Sequence, residues 1–339
     1  MANVTTTPLT LSDRTGGVSL QLDAANGEVS LKYAPPGEPL RLAATISAQG
    51  GARDAVSILC AAGAMAASTR PAGIATRLSR LPARAETASR VIGRRVQQFM
   101  EWLVASKEDT NYTYDLTPLN RAHLAAVISV VTERPITEIQ GYLAEPDADA
   151  ALQAHYTQTL ARLPAEMAAL ADPVARWARR LGWYAVLRAL KPRLVVETGV
   201  DKGLGALLLC AALKRNTREG HSGRYLGTDI NPNAGYLLNG SYAEHGALLI
   251  GDSIASLRSL AQPIDVFIND SDHSADYEYA EYKTIAHLLH PGSVIIGDNS
   301  HVTDKLTRFA AETNRRFLFF REEPEAHWYA GAGIGFAFT

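Results

Sequence analysis

After Lys191-Pro192 the chain breaks into short aliphatic and β-branched runs: "RLVVETG", "RYLGTDI", "GALLIGD", "IDVFIND", "GSVIIGD", "RRFLFFRE" and "GIGFAF". Helix-like segments separate the first five. A strand followed by a helical return and another strand makes a βαβ unit, so these five should lie parallel with helices on both faces. Only "EPEAHWYAGA" separates the last two, too little for a crossover helix, and they should close the sheet as an antiparallel hairpin. The expected architecture is α/β: a seven-stranded, doubly wound, mostly parallel sheet with an antiparallel C-terminal hairpin.

The half before this sheet has a different texture. "VSLQLDAANGEVSLKY" alternates apolar and polar residues around Asn26-Gly27, which reads as a β-hairpin. From about residue 52 to 190 apolar residues recur at spacings of three and four, and Pro82, Pro118, Pro135, Pro146 and Pro164 divide the region into several helices. The expected divisions are a β-hairpin segment over 1–50, a helical accessory or lid domain over 51–170, and the sheet domain over 171–339. Seven arginines against Glu86 between Arg70 and Arg95 read as a solvated helix face or a site for an acidic substrate.

Composition narrows the function classes. The 339 residues carry a formal charge of −2, and no stripe of aromatic residues among basic ones appears, so a nucleic-acid partner is not expected. Cys60 and Cys210 stand far apart in apolar stretches and suit a reducing compartment. With no basic-then-apolar leader and no apolar run near ~20 residues, the expectation is a cytoplasmic protein without a membrane partner. A homo-oligomer is compatible with this reading.

Chemistry gathers at the strand ends. In "VVETGVDKGLGALLL" a buried strand turns into an apolar helix through Glu197, Gly199, Gly203 and Gly205. Glycine admits a ligand close to the backbone, and the helix start presents free N–H groups. The next two strands end in Asp229 and in Asp252-Ser253. Open parallel sheets bind ligands beyond these ends; Asp229 is placed to accept both hydroxyls of a ribose and Asp252 to reach an adenine amino group. A dehydrogenase fingerprint fits less well, since Asp201 stands where a second glycine is needed.

This pattern resembles class I S-adenosylmethionine-dependent methyltransferases. The resemblance implies that Glu197 and Gly199 lie against the methionine part of the cofactor, Asp229 at the ribose and Asp252 beside the adenine, with Gly203 and Ser253 also in the cofactor site. Strand four then ends in Asp270-Ser271-Asp272-His273 and strand five in Asp298-Asn299, followed by His301. Asp270, Asp298 and Asn299 offer only oxygen donors, which suit Mg²⁺, Mn²⁺ or Ca²⁺. The combination is similar to the metal-dependent catechol and caffeoyl-CoA O-methyltransferases. It implies an ion on those three residues that binds the hydroxyl of a small-molecule acceptor such as a phenol, a sugar or a secondary metabolite.

Two residues depart from that pattern. His273 stands where those families have a lysine base; an imidazole suits proton removal near neutral pH. Gly205 stands where catechol-type enzymes place a hydroxyl against the methionine carboxylate. Asp270 and His273 are the expected catalytic pair, and Tyr112, Tyr114 and His301 the candidate substrate contacts. The rivals are a metal-independent N- or carboxyl methyltransferase and a non-catalytic cofactor-binding adaptor.

Overall fold

The computed structural model describes residues 9–12, 19–25, 28–34, 41–47, 81–272, 274–298 and 300–339. By their contacts the residues fall into two compact units, Met1–Gln98 and Phe99–Thr339. In the first, strands β1 (Leu9–Ser12), β2 (Ser19–Ala25), β3 (Glu28–Ala34) and β4 (Arg41–Ser47) form an antiparallel sheet in that order. Ala25 stands opposite Glu28, the pairing that a two-residue Asn-Gly connection requires. The expected hairpin is present, with one further strand on each side; Asn26 and Gly27 themselves lie outside the described residues. So do Arg70, Arg77 and Arg80 of the basic run, whereas Arg90 pairs with Glu86 at an exposed helix face.

The second unit holds the seven-stranded sheet. Its strands are β6 (Leu194–Thr198), β7 (Arg224–Asp229), β8 (Gly246–Ile250), β9 (Ile264–Asn269), β10 (Leu289–Gly297), β11 (Arg316–Arg321) and β13 (Gly333–Phe338). Their spatial order is β11-β13-β10-β9-β6-β7-β8, parallel from β10 to β8, with β13 antiparallel to both neighbours. The chain builds outward from β6 through β7 and β8, then restarts at β9 on the other side of β6. That reversal opens a crevice between β6 and β9.

The continuous apolar runs are explained by burial on both sheet faces, since successive side chains alternate. Val195, Tyr225, Val266, Ile268, Ile296 and Phe336 point into one core; Leu194, Val196, Leu226, Phe267, Ile295 and Ala337 point into the other. The second core is covered by the helices Ala275–Ile285 and Lys305–Glu312. The first is covered by the helices Pro118–Thr132, Ile136–Ala148, Ala150–Leu160, Arg180–Leu190 and Leu204–Arg218. Pro118 does open its helix, and the Thr117 hydroxyl accepts from Asn120 N at 3.2 Å.

A two-stranded ribbon ties the ends of this unit. β5 (Asp115–Leu116) pairs with β12 (Pro324–Glu325), which lies between β11 and β13. Asn120 closes the joint: its Nδ2 donates to Arg321 O at 2.9 Å, and its Oδ1 accepts from Glu323 N at 2.9 Å. Among the described residues no helix is long and apolar enough to cross a membrane.

Candidate functional site

A cleft of about 1210 Å³ lies over the carboxyl ends of the parallel strands. Its floor is the turn after β6. Gly199 has φ +82°, and a Cβ there would lie 2.0 Å from the carbonyl oxygen of Asp270, so only glycine fits between the tips of β6 and β9. Asp229, at the tip of β7, braces the same turn. Its Oδ2 accepts from Val200 N at 2.9 Å and Asp201 N at 2.8 Å, and its Oδ1 accepts from Asn231 N at 2.8 Å. The carboxylate expected to meet a ribose thus also shapes the loop that ligands would approach.

Glu197 is 2% exposed and receives the hydroxyl of Tyr225. Burial pushes its carboxyl up to about 8, against the opposing pull of Tyr225 and Arg180. Beside it, Gly205 leaves no room for a side chain: a Cβ would sit 2.6 Å from Glu197 Oε1 and 2.8 Å from Trp183 Cζ3. The nearby cation is Arg180, stacked 5.8 Å from the Trp183 ring centroid. It lines the cleft, and its buried Nη1 has no hydrogen-bond partner.

Further along, Asp252 caps the helix Ser253–Arg258, accepting from Ala255 N at 2.7 Å and from the Tyr277 hydroxyl at 2.8 Å. Those bonds, the Ala255 amide foremost, hold its carboxyl below the usual range. The Ser253 hydroxyl lies 2.9 Å from that of Tyr277 and also donates to Glu281. Glu281 is fully buried and gathers the strand tips, accepting from Thr198, Asn269 and Ser271 as well.

On the other side of β6, Asp270 and Asp298, at the tips of neighbouring strands, line the same cleft. Asp270 keeps part of its surface open to the cleft, but burial of its carboxyl, with the charge of Asp298 next to it, raises its pKa well above the ordinary value. Asp298 is 3% exposed; burial alone would raise its carboxyl too, yet Arg179 outweighs it and the pKa falls below the usual 3.8. Both Asp298 oxygens accept from Arg179, through Nε and Nη2. Arg179 Nη1 donates to the Tyr114 hydroxyl at 2.7 Å, which donates to Glu322 Oε2 at 2.6 Å.

This arrangement bears on the expected divalent ion. An ion needs carboxylate lone pairs turned towards it, and both Asp298 oxygens are engaged by a guanidinium. Among the described residues no group of three or more His, Cys, Asp or Glu is placed to hold a metal. The described residues do not fit the ion; Asn299 and His273 lie outside them.

The remaining expected residues scatter. Tyr112 borders the cleft, 7% exposed, with Lys202 Nζ 4.0 Å from its ring centroid and a buried hydroxyl that has no partner. Tyr114 lies behind the cleft, in the Arg179 network. His301 is exposed on the rim, and Asp272 accepts from Ser274 N at 3.0 Å. Sequence reasoning passed over Arg179, Arg180, Glu281 and Glu322. The first two had a signal, a pair of arginines heading the otherwise apolar "LGWYAVLRAL"; the acids had none.

Residues 196–300 match the family model described as a methyltransferase domain. Among proteins of curated function none matches the chain. Similar solved structures include the methyltransferase PaMTH1 of Podospora anserina bound to SAH, 16% identical, with TM-score 0.40 over 56% of this chain and 87% of that one. The O-methyltransferase TomG of Streptomyces achromogenes, involved in tomaymycin synthesis and solved with SAM, is 18% identical, with TM-score 0.39 over 56% and 90%. An O-methyltransferase of Bacillus cereus in complex with SAH is 17% identical, with TM-score 0.35 over 65% and 98%. The family match over 196–300, which spans the glycine turn and the tips of the parallel strands, leads to one conclusion: this part of the chain is similar to a methyltransferase domain.

Proposed function

We propose that the chain transfers a methyl group from S-adenosylmethionine to a hydroxyl of a small molecule. The observation that carries this reading is the single cleft in which the glycine turn, an unpartnered arginine nitrogen and two strand-end carboxyls lie together. When bound, the donor supplies a methyl on a positively charged sulfur.

The chain's own residues divide the remaining work. Arg180, with Nη1 free, pairs with the methionine carboxylate, a task that no side chain at Gly205 could perform. Glu197 accepts the methionine ammonium once it loses its proton, and Gly199 and Gly203 let the backbone come close. Asp229 keeps acceptor capacity for ribose hydroxyls beyond its three amide bonds. Asp252 and Ser253 flank the adenine. Tyr112, its hydroxyl unspent, and His301 face the acceptor. Asp270 positions the acceptor hydroxyl, and the proton released as the O–CH₃ bond forms passes to His273. The ion that the resemblance implied has no part in this scheme.

Two measurements test it. Calorimetry should show S-adenosylhomocysteine binding that Arg180→Ala weakens. Labelled donor, offered with phenols and sugars, should yield an ether product that His273→Ala suppresses. Absence of nucleoside binding by the wild type would refute the cofactor assignment. Label recovered on nitrogen or carboxylate acceptors alone would refute the hydroxyl.

A further inference from the structure

We infer that Arg179 takes the place of a divalent cation at the tips of β9 and β10, so the acceptor side of the cleft works on a cation built into the chain. Three observations carry this. Arg179 engages both oxygens of Asp298 in a two-pronged pair, the strongest geometry a guanidinium makes with a carboxylate. Its third nitrogen is held by the Tyr114 hydroxyl at 2.7 Å and lies 3.4 Å from Glu322 Oε1. It is 9% exposed, and the segment before it is fixed, with Trp177 and Ala178 fully buried and Trp177 bridged to Tyr114.

The consequence follows from charge and space. Asp298 and Glu322 are buried acids, and two buried negative charges require compensation. Arg179 supplies it from within the chain, with one face turned to each acid. An incoming ion would have to break the two-pronged bond and then stand beside a buried positive charge. The arginine therefore holds Asp298 in position, and the site has no need of a dissociable ion. It acts as a positioning residue: its donors go to Asp298 and the Tyr114 hydroxyl, and its charge faces Glu322.

This inference rests on the proposed methyl transfer only for the purpose of the site, and its test contains neither donor nor acceptor. The full chain is titrated with Mn²⁺ while the free ion is followed by electron paramagnetic resonance. Wild type should leave the signal of the free ion unchanged. Arg179→Lys, which keeps a cation, should do the same. Arg179→Ala, checked for folding by circular dichroism, should expose Asp298, Asp270 and Glu322 and take up one ion, and the further change Asp298→Asn should abolish that uptake. A wild-type site for one Mn²⁺ that Asp298→Asn removes would overturn the inference, as would a folded Arg179→Ala that binds no ion. If Arg179→Ala does not fold, the wild-type and Asp298→Asn titrations decide. Failure of S-adenosylhomocysteine to bind would sink the methyl-transfer reading and leave this result standing.

Discussion

Glu197 shows how one buried side chain links the site to pH. Its carboxyl has a folded value of about 8 against an ordinary 4.5, with burial the main cause. Between those values the folded chain holds a proton that the unfolded chain has lost, so this group's contribution to stability declines as pH rises through that window. The melting temperature should fall accordingly, and Glu197→Gln should flatten the slope. If Glu197 receives the methionine ammonium, nucleoside binding should also release a proton at neutral pH, visible as a dependence of calorimetric heat on buffer. Arg180→Ala should weaken S-adenosylhomocysteine binding by roughly tenfold to a hundredfold, the span of about 1.5–3 kcal/mol for a hydrogen bond to a charged group. Unchanged affinity would remove Arg180 from the cofactor site.

At the level of elements, Glu281 is the common fastening of four pieces. From the helix Ala275–Ile285 it reaches Thr198 on β6, Asn269 on β9, Ser253 at a helix start and Ser271 in the loop between. Glu281→Ala would strand these donors in a buried setting, and a loss of about 1–3 kcal/mol for each donor left unsatisfied is expected. Chemical denaturation should show it as a lower midpoint with an unchanged slope, and Glu281→Gln should recover part of it. The β6 turn offers a sharper contrast. With a Cβ at Gly199 only 2.0 Å from a backbone oxygen, Gly199→Ala should fail to accumulate as folded protein, because neither backbone can yield.

Across the whole unit Phe99–Thr339, helices pack on both faces of the sheet and close a core on each. Arg188, 3% exposed, joins Glu145 of the helix Ile136–Ala148 to Asn216 and Glu219 at the end of the helix Leu204–Arg218. All four tryptophans of the chain, at 102, 177, 183 and 328, belong to this unit. Tryptophan fluorescence should therefore report its unfolding as one cooperative step, and S-adenosylhomocysteine should raise that midpoint with concentration by mass action. A ligand-independent midpoint would contradict binding in the cleft.

Sequence by itself determined the layered sheet. Strand-length apolar runs separated by helix-length connections admit few topologies, and a ten-residue link cannot cross over to a parallel neighbour. It also determined that Glu197, Gly199, Asp229, Asp252, Asp270 and Asp298 would meet at one edge, because a parallel sheet brings all its carboxyl ends to the same side. Only the tertiary structure decided the use of these groups. Asp298 reads as a metal ligand until Arg179, 119 positions away, arrives from a helix on one face of the sheet with a charge already in place. The physical reason is that strand ends follow from local periodicity, whereas the partner of a buried charge depends on packing between segments far apart in the chain. Periodicity carries no record of that packing.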